Sequence, residues 1–154
     1  MTLDILEALP AHISEAVMQA VAPEVSAQWR VNRTYPKDSI GQLMGPAYAV
    51  FKADMTVAQT IERLRAQVKS ALITYGYVAD ERGRLLGLVT MRDLLFAQDE
   101  QRLQYIMLEN VFQLKPDMPL NDAMKLVLER HYPEYPVCDE QGKLLGLVRG
   151  QSMF

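Results

Sequence analysis

A ten-residue phrase occurs twice in this chain, and the two copies lie 59 positions apart. Asp80-Glu81-Arg82-Gly83-Arg84-Leu85-Leu86-Gly87-Leu88-Val89 returns as Asp139-Glu140-Gln141-Gly142-Lys143-Leu144-Leu145-Gly146-Leu147-Val148. Eight of the ten positions are identical and a ninth exchanges Arg for Lys. Two apolar strands can agree by chance; two with the same turn and the same glycines point to duplication. The chain therefore reads as a pair of similar modules, and its 154 residues fit one compact domain or two half-sized units sharing a core.

The match extends upstream at an offset of 63. Leu43-Met44 aligns with Ile106-Met107, and residues 49–55 align with residues 112–118, ending in Lys52-Ala53-Asp54-Met55 and Lys115-Pro116-Asp117-Met118. The first copy thus carries four extra residues, placed near 66–74, where a loop or an extra helical turn would absorb them. Each copy repeats one local grammar. Short strands are expected at Tyr48–Phe51 and Val111–Leu114. Amphipathic helices follow, with Val57, Ile61, Leu64 and Val68 as one stripe and Leu120, Met124, Val127 and Leu128 as the other. Thr56 suits an N-cap and Pro119 a first turn. Hairpins come next, Tyr75–Ala79 with Arg84–Thr90 and Tyr135–Cys138 with Lys143–Arg149. Their turns place Asp first and Gly where a positive φ is needed. The second strands are apolar enough to be buried on both faces. Gly87 and Gly146 interrupt them, which implies a bulge or the close approach of another backbone. Residues 93–107 would connect the copies, beginning as a helix. One such unit is small for an independent core, so the expected class is α/β (α+β), with two β-α-β-β-α modules related by a pseudo-twofold.

The first 40 residues differ. Leu3, Ile5, Leu6 and Leu9 suggest a short helix ended by Pro10; Ile13, Val17, Met18 and Val21 suggest a second. Val25, Trp29 and Val31 suggest a third, and residues 35–39 a turn and a cap. Short helices of this kind seldom hold without a neighbour.

Composition excludes several classes. The net charge of -3 and scattered basic residues argue against a dedicated nucleic-acid binder. The lone Cys138 excludes an internal disulfide, and no Cys/His spacing suggests zinc. No apolar run approaches the roughly 20 residues that span a bilayer, and the start of the chain shows no signal-peptide pattern.

The strand, helix and hairpin ending in Gly87-Leu88-Val89-Thr90-Met91-Arg92-Asp93 resemble CBS domains, which occur as tandem pairs. The likeness covers residues 41–149. A narrower resemblance, to the cytosolic region of MgtE-type magnesium transporters, rests on the N-terminal helices followed by Tyr35-Pro36-Lys37-Asp38-Ser39-Ile40-Gly41-Gln42-Leu43-Met44. It rests also on the extra residues before Ile73-Thr74-Tyr75-Gly76-Tyr77-Val78. It implies three parts: 1–38, the end of a helical N-domain; 39–102, module 1; and 103–154, module 2, truncated at its last helix. It implies a fragment of a longer transporter, or a stand-alone remnant, at the cytosolic face of the inner membrane or in the cytoplasm. A homodimer through the CBS modules, and a transporter membrane domain in a longer chain, are the implied partners.

In nucleotide-binding CBS pairs the Thr or Ser contacts phosphate and the Asp three residues on holds the ribose hydroxyls. The resemblance carries these roles to Thr90 and Asp93, with Arg92 adding charge near a phosphate and ATP or AMP as ligand. A bland alternative stands beside it: Thr90 caps the following helix and Asp93 favours its first turn. In the second copy Arg149 and Ser152 occupy the two positions, so at most one nucleotide per chain is expected. MgtE-type regulatory regions also take Mg²⁺ between acidic surfaces. Asp99, Glu100, Glu109, Asp117, Asp122, Glu134, Asp139 and Glu140 are the carboxylates on offer, with a plain solvated surface as the alternative. No metal ligand is assigned.

Catalysis is not expected. His12 and His131 have no nucleophile setting, Cys138 lies in a buried strand, and no phosphate-binding glycine motif is present. The nine methionines suit core filling. The leading expectation is a regulatory, ligand-sensing CBS pair that controls magnesium transport through nucleotide- or Mg²⁺-dependent rearrangement. The alternatives are a stand-alone adenine-nucleotide sensor acting on a separate enzyme or channel, and a scaffold without a ligand.

Overall fold

The computed structural model describes residues 23–153, so the two helices expected before Pro23 and the position of His12 lie outside the described residues. The element order is α1 (Pro23–Asn32), α2 (Ile40–Leu43), β1 (Val50–Lys52), α3 (Val57–Gln67), β2 (Tyr75–Ala79), β3 (Leu85–Thr90) and α4 (Met91–Phe96). It continues with a 3-10 turn (Leu103–Tyr105), α5 (Leu120–Val127), β4 (Glu134–Cys138), β5 (Leu144–Arg149) and α6 (Gly150–Met153). The mixed α/β class read from the sequence is what folds. Three of the first copy's four extra residues lengthen α3 relative to α5, and the fourth sits in the connection that follows.

The chain forms two compact units, and each draws on separated stretches. One holds Ala47–Gln113 and Cys138–Leu144; the other holds the stretch up to Pro46, Leu114–Val137 and the stretch from Leu145.

In the first of these, β1 lies parallel to β2, with α3 as the crossover, and β2 is antiparallel to β3. Phe51, Val78 and Val89 from the sheet, Val57 and Leu64 from α3, and Leu94 and Leu103 form one core. The stripe stops a residue early: Val68, expected inward, closes α3 as its C-cap and is exposed. Thr56 caps α3 with a full capping box, its Oγ1 accepting from the Gln59 amide at 3.2 Å while Gln59 Oε1 accepts from the Thr56 amide at 3.0 Å. Such a box is worth about 1 kcal/mol. Thr56→Ala should therefore lower the unfolding free energy by that amount, read as a lower urea midpoint, while Thr56→Ser stays near wild type; equal midpoints for all three would deny the cap that role.

β3 is not flat. The register slips between Val78 and Ala79, so Leu86 bulges out and stands 38% exposed, not buried as its strand suggested. At Gly87 the backbone of Leu108 comes alongside, with Leu88 N donating to Leu108 O at 3.1 Å and Leu108 N to Leu88 O at 2.8 Å. Both readings of the strand glycine, bulge and close approach, are thus realised at one place. The hairpin turn closes with Gly83 at φ 83°. Asp80 Oδ1 accepts from the Arg82 and Arg84 amides at 2.9 Å each, and Arg84 Nε reaches Oδ2 at 2.7 Å. The Arg84 amide foremost holds the Asp80 carboxyl below its usual range; desolvation, the next largest effect, opposes it and is outweighed with the help of the Arg84 side chain and the Arg82 amide. A depressed carboxyl stabilises the fold above its unfolded pKa, and that contribution is lost as pH falls through the folded value. Asp80→Asn should thus be less stable than wild type near neutrality, and the gap in urea midpoint should close as pH is taken below about 4. A gap that persists unchanged at low pH would show that charge is not the cause.

In the other unit, β4 and β5 form a two-stranded sheet and α5 buries Ala123 and Val127. Leu128, expected in the stripe, is exposed beyond the last turn. The strand expected at Val111–Leu114 is absent: only Leu114 bridges to Val137, its amide donating to Pro136 O at 2.9 Å. Pro136 explains the loss. It stands where the first copy has Tyr77, whose amide donates to Ala49 O at 2.8 Å, and proline has no amide to give. At Gly146 the Gly45 backbone comes alongside, with Gly45 N to Leu147 O at 2.7 Å and Leu147 N to Gly45 O at 2.9 Å. Trp29 of α1 is buried, with the Arg33 guanidinium 4.5 Å over its ring, whereas Val31 is exposed. Ser39 sits at the N-cap of α2 but makes no side-chain cap bond; α2 instead receives its order from backbone bonds, Ile40 N to Met118 O at 2.9 Å and Gly41 N to Pro116 O at 2.7 Å.

These bonds repeat the 63-residue offset. Leu103 N donates to Met55 O at 2.9 Å and Gln104 N to Ala53 O at 3.0 Å, the positions equivalent to Ile40, Met118, Gly41 and Pro116. In each unit the helix and strand of one repeat are thus met by the segment that precedes the other repeat in sequence.

Candidate functional site

Thr90 closes β3 and opens α4. Its backbone is extended (φ -89°, ψ 163°), the geometry an N-cap requires. Thr90 Oγ1 accepts from the Asp93 amide at 3.0 Å, and Asp93 Oδ2 accepts from the Thr90 amide at 2.9 Å. A threonine three residues before an acid makes this reciprocal box because each side chain reaches the other's orphan amide. The capping role expected for the pair is therefore present. The box leaves one polar group on each side chain over. The Thr90 hydroxyl accepts one bond and keeps its hydrogen, and Asp93 Oδ1 stays outside the box. Both side chains are half-buried, so the box holds them at the surface and not within the core.

Arg92 lies between them and is exposed, its guanidinium 5.5 Å from the Phe96 ring centre one turn on. Phe96 is 80% exposed, so this contact steers the arginine without burying it. The sequence did not reveal it, although the i, i+4 spacing on a short helix was a usable signal. A hydroxyl donor, a carboxylate acceptor and an exposed cation thus stand along one turn. This set suits a ligand carrying both hydroxyls and an anionic group.

The second copy brings a different set to the same place. Arg149 ends β5 half-buried and Ser152 is exposed on α6; residues 149–152 include no carboxylate. Gly150 closes the helix start against the preceding loop, its amide donating to Pro133 O at 3.0 Å.

The acidic residues do not assemble. Among the described residues, no group of three or more His, Cys, Asp or Glu side chains is placed to hold a metal ion. Glu134, counted with the acidic surface from sequence, is in fact buried in β4, a strand whose five residues are all buried. Asp139 is occupied with its own turn, Oδ1 accepting from the Gln141 and Lys143 amides at 3.0 and 2.9 Å. His131 is exposed and Cys138 fully buried. No helix of the described residues is long and apolar enough to cross a membrane.

The profile of the CBS domain matches residues 40–100 and again 103–151. Magnesium transporter MgtE of Thermus thermophilus is 34% identical over 127 residues, 82% of this chain and 28% of that protein. The chain therefore spans little more than a quarter of that relative's length. The solved cytosolic domain of the Mg²⁺ channel MgtE in complex with ATP superposes with a TM-score of 0.87 at 31% identity, covering 97% of this chain and 62% of that one. The soluble part of a magnesium transporter gives a TM-score of 0.88 at 23% identity, over 98% of this chain and 59% of that one, and supports the fold alone.

Proposed function

Because this chain belongs to the CBS domain family, we propose that it is a regulatory CBS pair of an MgtE-like magnesium transporter, with modules at 39–102 and 103–154 and one adenine-nucleotide site at Thr90, Arg92 and Asp93. The reading is carried by one observation: the Thr90–Asp93 box presents a hydroxyl and a carboxylate oxygen side by side in a chain similar, over 97% of its length, to a domain solved with ATP. In this role Asp93 Oδ1 accepts from ribose hydroxyls, the Thr90 hydroxyl donates to phosphate, and Arg92 supplies the counter-charge. ATP or AMP brings the hydroxyls and the anionic group that this set matches and supplies no chemistry of its own. The module senses and does not catalyse.

Regulation then follows from differential affinity. A nucleotide that binds one arrangement of the module more tightly shifts the population toward it, and the attached transporter reads the shift. A homodimer and a location at the cytosolic face of a membrane belong to the same proposal and rest on the likeness to MgtE. So does Mg²⁺ sensing, since this chain alone assembles no carboxylate cluster among its described residues. A rise in melting temperature at millimolar Mg²⁺ would support it; an unchanged melt would count against sensing by these residues.

Calorimetric titration with AMP and with ATP tests the site. Asp93→Ala should weaken binding at least tenfold, a loss of about 1.4 kcal/mol or more. Equal affinity in wild type and variant would remove Asp93 from the site.

A further inference from the structure

The first four amides of a helix have no partner inside it. In α3 all of them are satisfied, and two by an outside segment. Within the capping box Thr56 N donates to Gln59 Oε1 at 3.0 Å and Gln59 N to Thr56 Oγ1 at 3.2 Å. Val57 N donates to Gln101 O at 2.8 Å and Ala58 N to Asp99 O at 3.0 Å. The start of α3 is thus closed by a strap, residues 97–104, which leaves α4 and runs across it.

The strap is pinned at both ends. Downstream, Leu103 is fully buried and its amide donates to Met55 O at 2.9 Å. Upstream, the strap departs at Ala97, whose amide donates to Asp93 O at 3.1 Å. Between them Gln101 Oε1 accepts from the Gln98 amide at 2.8 Å and fixes the turn. Asp93 therefore holds α4 twice: its carboxylate takes the Thr90 amide, and its carbonyl takes the amide from which the strap leaves. Removing the carboxylate releases the Thr90 amide at the start of a six-residue helix, whose far end then rests on the main-chain bond to Ala97.

We propose that this strap transmits occupancy of the Thr90–Asp93 site to α3. The inference rests on those residues being the nucleotide site. A ligand that locks Thr90 and Asp93 in their box fixes α4, the departure at Ala97, and so the two carbonyls on α3. With the site empty, the strap lifts from Val57 and Ala58 more often. Lifting is a discrete event, because it uncovers two amides together, and local openings of this kind occur in native proteins. The other repeat supplies an internal control. Leu120, equivalent to Val57, donates to Asp38 O at 2.8 Å, and that carbonyl lies upstream in sequence, between α1 and α2, with no ligand helix before it.

Amide exchange followed residue by residue tests this on the whole chain, without ligand for wild type, Asp93→Ala and Thr90→Ser, and with saturating ATP for wild type, alongside calorimetry of the same samples. Without ligand, Val57 and Ala58 should exchange roughly tenfold faster in Asp93→Ala, with Leu120 unchanged and Thr90→Ser, which keeps a capping hydroxyl, at wild-type rates. With ATP bound, Val57 and Ala58 should slow by a similar factor. Unchanged exchange at Val57 and Ala58 in Asp93→Ala overturns the strap's role, as does heat of ATP binding without slowing. Absence of any ATP heat removes the nucleotide reading, and the ligand-free comparison then still decides the strap. Should Asp93→Ala fail to fold, Thr90→Ala opens the same box from the hydroxyl side and is judged by the same amides.

Discussion

Gly87→Ala should destabilise this protein by about 3 kcal/mol, more than any exposed substitution, and Gly146→Ala should do nearly the same. A methyl group at Gly87 would stand 2.6 Å from the Leu108 carbonyl oxygen and 2.8 Å from Met107 Sδ. At Gly146 it would stand 2.6 Å from the Gly45 carbonyl oxygen. The methionine can swing aside; a carbonyl engaged in a ladder cannot move without breaking it. Each substitution therefore pushes apart a reciprocal pair of backbone bonds, Leu88 with Leu108 or Gly45 with Leu147. Since a domain of this size is stable by only about 5–15 kcal/mol, the loss should be plain in urea midpoints. A variant within about 0.5 kcal/mol of wild type would mean that the approach of the two backbones is not tight in solution.

Leu103→Ala should cost about 2–5 kcal/mol, and Ile40→Ala a similar amount. Both side chains are fully buried and they occupy equivalent places 63 residues apart. Each is the anchor by which a segment preceding one repeat enters the core of a unit built mainly from the other. Truncation removes apolar contact and leaves a cavity that the neighbouring backbone bonds, Leu103 N to Met55 O and Ile40 N to Met118 O, keep from collapsing. Leu108→Ala offers the contrast: it is 61% exposed, and it should change stability by less than about 1 kcal/mol while retaining its backbone bonds. Equal losses at Leu103 and Leu108 would deny the anchor.

Much of this was visible in the chain itself. Thr56 and Gln59, Thr90 and Asp93, and the Asp-to-Gly turns are local arrangements, decided within four residues, and they fold as their spacing implies. Gly87 and Gly146 signalled a neighbour without saying which one. The neighbour is non-local, since Leu108 and Gly45 come from before the opposite repeat, and periodicity within one copy carries no record of that exchange. The expected strand at Val111–Leu114 failed for a reason that was on the page, because Pro136 lies in the partner strand where an amide is needed, yet pairing partners are not known before folding. Glu134 was misplaced because the strand was expected to begin at Tyr135, one residue late, which left Glu134 to be assigned by its charge. The Thr90–Asp93 box was legible as a cap; its second use, toward a ligand, depends on the oxygens the cap leaves over.

Equilibrium dialysis of labelled ATP against wild type, Asp93→Ala and Ser152→Ala tests the ligand site most directly. The expected result is one nucleotide per chain in wild type and in Ser152→Ala, and none at the same concentration in Asp93→Ala. Two nucleotides per chain, or one that survives the loss of the Asp93 carboxylate, would contradict a single site built on that residue.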